Sequence, residues 1–157
     1  MDEHPFRAAW RTRDVEAWAA ALAPGVELRS PILTEPFRGR EAVAELYAVL
    51  FEAIGEMTFT DELESVGTHA FFWHADVRGR RVEGADILRT DDRGQIVHIA
   101  VMIRPLVDIA EFAAAVAPPL AARRGRLRAA PLRPLILLLR GVLGLADRVA
   151  SRVARAG

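Results

Sequence analysis

The chain has 157 residues, 52% of them apolar, with 21 basic and 21 acidic side chains. Such a length and apolar fraction predict one domain's worth of chain with a substantial core, and they exclude a disordered polymer. The absence of cysteine excludes disulfides, thiolate metal centres and cysteine nucleophiles, and favours a cytoplasmic setting.

The balanced charge hides an asymmetry. From Leu120 to Gly157 there are nine arginines and one acid, Asp147, for a net charge of +8, which leaves residues 1–119 at −8. Such a split predicts an electrostatic fit within the protein or a tail with an anionic partner. All 21 basic residues are arginine and alanine is abundant, a pattern of GC-rich coding more than of chemical demand. Met1-Asp2-Glu3-His4-Pro5 is acidic and leads into no apolar run, so no signal peptide is expected.

Phe6, Trp10, Trp18 and Leu22 recur at helical spacings, giving the region from Phe6 to Ala23 one aromatic, apolar face. Asp14 is placed to cap a second segment, which predicts two short helices ended by Pro24-Gly25. Val26 to Pro31 alternates like a short strand, which its proline confines to an edge or terminates. Thr34 to Gly39 reads as a loop, and Arg40 to Ile54 as a helix. Beyond Gly55 the period falls to two. A long strand from Met57 to Val66 is broken by Gly67-Thr68, and His69 to Val77 follows, closed by the turn Arg78-Gly79-Arg80.

Val82 to Pro105 reads as two further strands around the turn Asp91-Asp92-Arg93-Gly94. Asp86 sits among apolar neighbours there, sharing a strand face with Val82, Gly84 and Leu88 by the two-residue period. A carboxylate so placed must be solvated, paired or kept neutral. If the face points inward, desolvation raises its pKa and makes it a hydrogen-bond donor. Helices followed by a four-stranded meander predict an α+β domain whose curved sheet wraps against helices.

Pro105 opens a short helix expected to run through Val116 and to stop at Pro118-Pro119. The expected division is therefore a domain over residues 1–117 and a basic, leucine-rich helical extension over residues 118–157. In that extension Arg123-Arg124-Gly125-Arg126-Leu127-Arg128 precedes Leu135 to Leu139, Val142-Leu143 and Leu145-Ala146. The apolar piece is about twelve residues, short of the roughly twenty that cross a bilayer. A helix with Leu135, Leu138, Leu139, Val142, Leu145 and Val149 on one side and Arg140, Arg148, Arg152 and Arg155 elsewhere could pack on the acidic domain or a second subunit, or lie at an anionic membrane surface. No nucleic-acid partner is expected, because the arginines are interleaved with leucine and alanine and not with stacking aromatics.

Arg13-Asp14-Val15-Glu16-Ala17, Pro36-Phe37-Arg38-Gly39-Arg40-Glu41-Ala42-Val43, and Gly84-Ala85-Asp86-Ile87-Leu88-Arg89 with Gly94-Gln95-Ile96 resemble the nuclear-transport-factor-2-like superfamily. Its cone-shaped fold, also called cystatin-like, is shared by ketosteroid isomerases, SnoaL-type polyketide cyclases and limonene epoxide hydrolases. The resemblance runs from about Pro5 to Val116. It implies a cone of mixed or antiparallel sheet wrapped on the N-terminal helices, with the C-terminal helical extension added to it.

The resemblance to ketosteroid isomerases places Asp86 where that family keeps a protonated aspartic acid in its oxyanion hole, and Tyr47 where a tyrosine supports the hole. Ser30 falls at the position of the general base, and Phe6 at that of the oxyanion tyrosine. Two of three catalytic groups are thus replaced, and a standard isomerisation is not expected. Epoxide hydrolysis needs a second acid beside Asp86, and the face of the last strand offers Ile99, Val101 and Ile103 instead. The expected function is binding of a small apolar, carbonyl-containing molecule, with an isomerase or cyclase using Asp86 as the alternative. Phe6, Trp10, Ser30, Tyr47, His69, Phe71, Trp73, Ile99, Val101 and Ile103 are the expected ligand-binding residues, with His69 as the titratable partner of Asp86. His74 and His98 have the opposite parity and face outward. No cofactor and no metal site are expected, and the expected partners are a homodimer through the sheet and peripheral contact of the C-terminal helix with the inner membrane surface.

Overall fold

The computed structural model describes residues 3–123 and, beyond them, Leu138, residues 141–148, Ala150 and Arg152. Two short helices open the chain, α1 (Pro5–Thr12) and α2 (Val15–Ala21). Asp14 divides them as expected: its Oδ1 accepts from the backbone N–H of Glu16 and of Ala17, both at 3.0 Å, which satisfies two donors that a helix start leaves open. Arg13, in a left-handed conformation with φ 56°, turns the corner. Its guanidinium donates to the carbonyls of Phe51, Ile54 and Gly55, tying that corner to the end of the third helix.

Strands β1 (Leu22–Arg29) and β2 (Phe37–Arg38) come next, then α3 (Arg40–Ala53). The meander β3 (Met57–Ser65), β4 (Thr68–Val77), β5 (Arg80–Thr90) and β6 (Ile96–Arg104) follows, and α4 (Leu106–Arg123) packs back on it. The six strands form one curved mixed sheet in the order β2-β1-β6-β5-β4-β3, with β1 parallel to β6 and the other pairs antiparallel. The helices lie against its inner face. Asp91 organises the β5–β6 turn, its Oδ1 accepting from the N–H of Arg93 and of Gln95, each at 2.9 Å.

The structure corrects three local expectations. Pro24-Gly25 does not precede the first strand but lies within it, where the pairing of β1 with β6 shifts register between Leu22 and Glu27. A bulge of this kind tolerates a residue without an N–H. The expected loop from Thr34 to Gly39 also holds a short strand, because Phe37 and Arg38 pair with Leu28 and Glu27. Strand β1 itself ends at Arg29, ahead of Pro31, the second of the two outcomes expected for it. The expected helix stop at Pro118-Pro119 is also overridden, since α4 continues to Arg123. The two prolines leave the carbonyls of Ala114 and Ala115 without helical donors. Contacts beyond them hold the last turn: Leu120 packs on the core, and Arg123 pairs with Glu52 of α3 at 2.8 Å.

An aromatic cluster fills the interior. Phe6 lies 5.0 Å from Phe71 and 5.7 Å from Trp18, and Tyr47 lies 4.8 Å from Trp18, measured between ring centroids. Among the described residues no helix is long and apolar enough to cross a membrane. Leu135, Leu139, Arg140, Val149 and Arg155 of the expected tail helix, and the basic run after Arg123, lie outside the described residues.

Candidate ligand site

Three neighbouring strands supply the polar end of an internal cavity. In register, Asp86 of β5 lies between Phe71 of β4 and Val101 of β6, and one step along Gly84 lies between Trp73 and Ile103. Alternation turns all six side-chain positions to the inner face. Trp73 crosses diagonally from β4 over β5, and its indole Nε1–H donates to Oδ2 of Asp86.

Gly84 makes that crossing possible. A Cβ built at position 84 would fall 2.3 Å from the Trp73 ring, far inside contact distance. The glycine is therefore needed for close approach of a side chain and not for an unusual backbone angle.

Asp86 is only 4% exposed. Burial pushes its carboxyl up from 3.8 to about 7, while the hydrogen bond from Trp73 acts in the opposite direction. Near neutral pH it is thus divided between the charged and neutral forms, and the neutral form has an O–H to donate. Tyr47 of α3 is fully enclosed, and burial first, then the charge of Asp86, raises its phenol well above the ordinary value.

Asp86, Trp73 and Tyr47 border a cavity of about 100 Å³. Trp10 of α1 and Leu46 and Leu50 of α3 form one side, and Phe112, Val116 and Leu120 of α4 close another. Ile32 and Leu33, exposed at 41% and 53%, mark the side that reaches solvent. Ser30 shapes that rim: its Oγ accepts from the N–H of Ile32 at 3.1 Å and of Leu33 at 3.0 Å. Trp10 keeps a buried Nε1–H with no hydrogen-bond partner among the described residues.

Of the expected site residues, the fold brings Trp10, Ser30, Tyr47, Trp73, Asp86 and Val101 to this one cavity. Phe6, Phe71 and Ile99 lie in the solid core behind it. Ile103 packs at the core's margin and borders a groove on the sheet. His69 is not the partner of Asp86. Its ring lies 4.4 Å from that of His4 and stacks on Phe71, one step farther along the strand, and the indole of Trp73 takes the place expected for it. The α4 wall is not among the expected site residues: Leu120 lies beyond the expected end of the helix at Val116, and nothing local to Phe112 and Val116 shows that α4 folds back over the cavity. The spacing of Phe112, Val116 and Leu120, four apart, is the signal that groups them on one face.

Among the described residues no cluster of histidine, aspartate and glutamate has the arrangement of a metal site. The cavity's only carboxylate among them is Asp86. The arrangement can therefore receive a small apolar molecule and offer it one hydrogen bond from an acid that titrates near neutrality.

Comparison with solved structures gives the fold a setting. A steroid delta-isomerase from Pseudomonas aeruginosa matches with a TM-score of 0.71 at 24% identity, over 75% of this chain and 88% of that one. An uncharacterised protein with a cystatin-like fold from Silicibacter pomeroyi matches with a TM-score of 0.70 at 19% identity, over 83% and 90%. A designed protein with a curved β-sheet also matches, with a TM-score of 0.57 at 14% identity over 71% and 95%. Identities this low establish architecture alone. No curated protein matches the sequence. The model of the SnoaL-like domain matches residues 4–99, more than half of the chain. With its order of elements, its curved sheet and that match, the chain belongs to the SnoaL-like domain family of the nuclear-transport-factor-2-like superfamily.

Proposed function

We propose that the cavity binds a small apolar molecule carrying a carbonyl group, with neutral Asp86 donating a hydrogen bond to the carbonyl oxygen. The observation that supports this is the position of Asp86, a carboxyl pushed up to about 7 on the wall of an otherwise apolar cavity. Size limits the ligand. At about 100 Å³ the space is well below the roughly 300–1,000 Å³ of drug-sized clefts and nearer the roughly 150 Å³ that holds a benzene ring. A single-ring ketone is the upper limit and must use the side open at Ile32 and Leu33, and a polycyclic one requires that rim to move.

Calorimetric binding of cyclohexanone and of methylcyclohexane, a hydrocarbon of the same size, tests the reading. The ketone is expected to bind about threefold to tenfold more tightly, one net hydrogen bond's worth. Asp86→Ala is expected to remove that advantage, so that the ketone binds no more tightly than the hydrocarbon. Failure of the wild-type protein to bind either compound would sink the proposal.

The pKa of Asp86 also favours a second reading, in which it transfers protons, because a group that titrates near the working pH is well matched to acid–base work. Ser30 offers no base and its Oγ already serves the rim, so Asp86 would act alone. In this reading its carboxylate removes an α-proton from the bound ketone and returns one from solvent. Deuterium exchange at cyclohexanone's α-carbons measures the step, and Asp86→Asn is expected to stop it while binding persists. Exchange no faster than in buffer removes the second reading and leaves the first intact.

A further inference from the structure

The C-terminal helical segment faces the wrong way for a helix that packs only on its own domain. Gly141, Gly144, Asp147 and Arg148 line a groove of about 540 Å³ together with Arg80, Val107 and Glu111. The charge of Asp147 is felt at Arg80. Leu138, Val142 and Leu145 are instead exposed, at 67%, 58% and 59%. At roughly 100° per residue these three fall within a sector of about 60°, and Gly144 and Asp147 fall on the far side of the helix. A surface helix of a globular domain ordinarily turns its apolar stripe inward. Here the side with Gly144 and Asp147 is turned toward the groove, Gly141 and Arg148 stand at its margin, and the apolar stripe is exposed.

Charge indicates what that is. The segment belongs to a stretch with nine arginines and one acid, in a chain whose remaining residues carry −8. Arg148 and Arg152 are both exposed, and by the same spacing they flank the stripe on one side. Arginines beside a leucine stripe suit the boundary between acyl chains and phosphate headgroups, where long side chains reach up to the phosphates while the apolar residues remain below. A bilayer with anionic lipid meets both halves of this pattern at one surface. The acidic remainder of the chain is repelled by the same surface, which leaves the arginine-rich end as the one that approaches. We propose that this segment binds an anionic lipid surface, lying in its plane with Leu138, Val142 and Leu145 at the acyl boundary.

Flotation of the full chain tests the proposal, using vesicles of phosphatidylcholine alone and of phosphatidylcholine mixed with phosphatidylglycerol. The chain is expected to float with the mixed vesicles, to bind the neutral ones far less, and to be released by high salt. Arg148→Gln with Arg152→Gln is expected to weaken binding on the order of twentyfold, about fivefold for each charge near the surface. Leu138→Glu with Val142→Glu and Leu145→Glu is expected to abolish it while the thermal unfolding of the domain is unchanged. Absence of flotation, or flotation unchanged by the triple substitution, would overturn the proposal. So would a mass of two chains that the triple substitution halves without any vesicle binding, since a second copy would then cover the stripe.

Discussion

Asp86 couples the candidate site to the stability of the fold. Its folded pKa of about 7 lies above the 3.8 of an ordinary aspartate, so between those values the folded state holds a proton that the unfolded state has lost. The stability contributed by this group is therefore complete below about pH 3.8 and is lost as pH rises through about 7. Asp86→Asn removes the titration and keeps an acceptor for Trp73. Denaturant unfolding is expected to show the variant gaining on the wild type by a few kcal/mol between pH 4 and pH 8, whereas a constant difference would place the carboxyl's titration elsewhere. Gly84→Ala is the complementary change. The added methyl would fall 2.3 Å from the Trp73 ring, so the indole must leave Asp86, at a cost of about 1–3 kcal/mol. Because that hydrogen bond holds the carboxyl down, its loss is expected to raise the Asp86 pKa further, as read by carboxyl NMR. The inward placement of Asp86 was legible in the sequence, since the two-residue period sets it on one face with Val82 and Leu88. Its partner was not. Trp73 reaches Asp86 diagonally over Gly84, and a diagonal contact depends on a register that no single strand encodes.

At the scale of elements, the first helix carries its own sensitivity to acid. The Nδ1 of His4 accepts from the N–H of Phe6 at 3.1 Å and caps α1. Burial, then the nearby His69, lowers His4 to about 4, while Glu62 acts the other way. A folded pKa below the ordinary 6.5 gives stability that is present above about pH 6.5 and is lost as pH falls through about 4. An imidazolium cannot accept the cap hydrogen bond, so hydrogen exchange in α1 is expected to rise across that interval before the rest of the chain responds. His4→Asn keeps an acceptor without titrating in that range and is expected to flatten the response; equal exchange rates in the two proteins would argue against His4 as the cause. Most elements were visible in the sequence through period, caps and turns: Asp14 separates α1 from α2, and Asp91 with Gly94 makes the β5–β6 turn. Where local rules failed, long-range contacts had prevailed. Leu120 and the Arg123–Glu52 pair carry α4 past two prolines, and β2 holds its two residues by pairing with β1.

At the scale of the whole molecule, the outer face of the sheet is the surface on which the expected homodimer would form. Register sets Phe72, Ala85 and Met102 in one row across three strands and Ala70, Ile87 and Ala100 in the next. His74, Glu83 and Arg104 border these rows on one side, and Thr68, Arg89 and His98 on the other. Phe72 and Met102 are exposed at 38% and 50%. Strand spacing and rise give this three-strand face about 14 Å by 23 Å, or about 320 Å², under half of the roughly 800 Å² that one partner contributes to a standard interface, so the dimer must extend over the neighbouring strands as well. Light scattering is expected to give a mass of two chains, and Phe72→Glu with Met102→Glu a mass of one. A single-chain mass for the wild type would contradict the dimer. The opposite charges of the two parts of the chain were countable in the sequence, but the direction of the apolar stripe in the tail was not, because it depends on which side of the helix meets Arg80 and Glu111.

The central claim is that Asp86 is a largely enclosed acid kept close to neutral so that it can donate to a ligand. The most direct measurement is NMR titration of the Asp86 side-chain carboxyl in the full chain, with and without cyclohexanone. The account predicts a midpoint of about 7, moved upward by the ketone because the ligand binds the protonated form. A midpoint near 3.8, the value of an ordinary aspartate, or one that the ketone leaves unmoved, would contradict it.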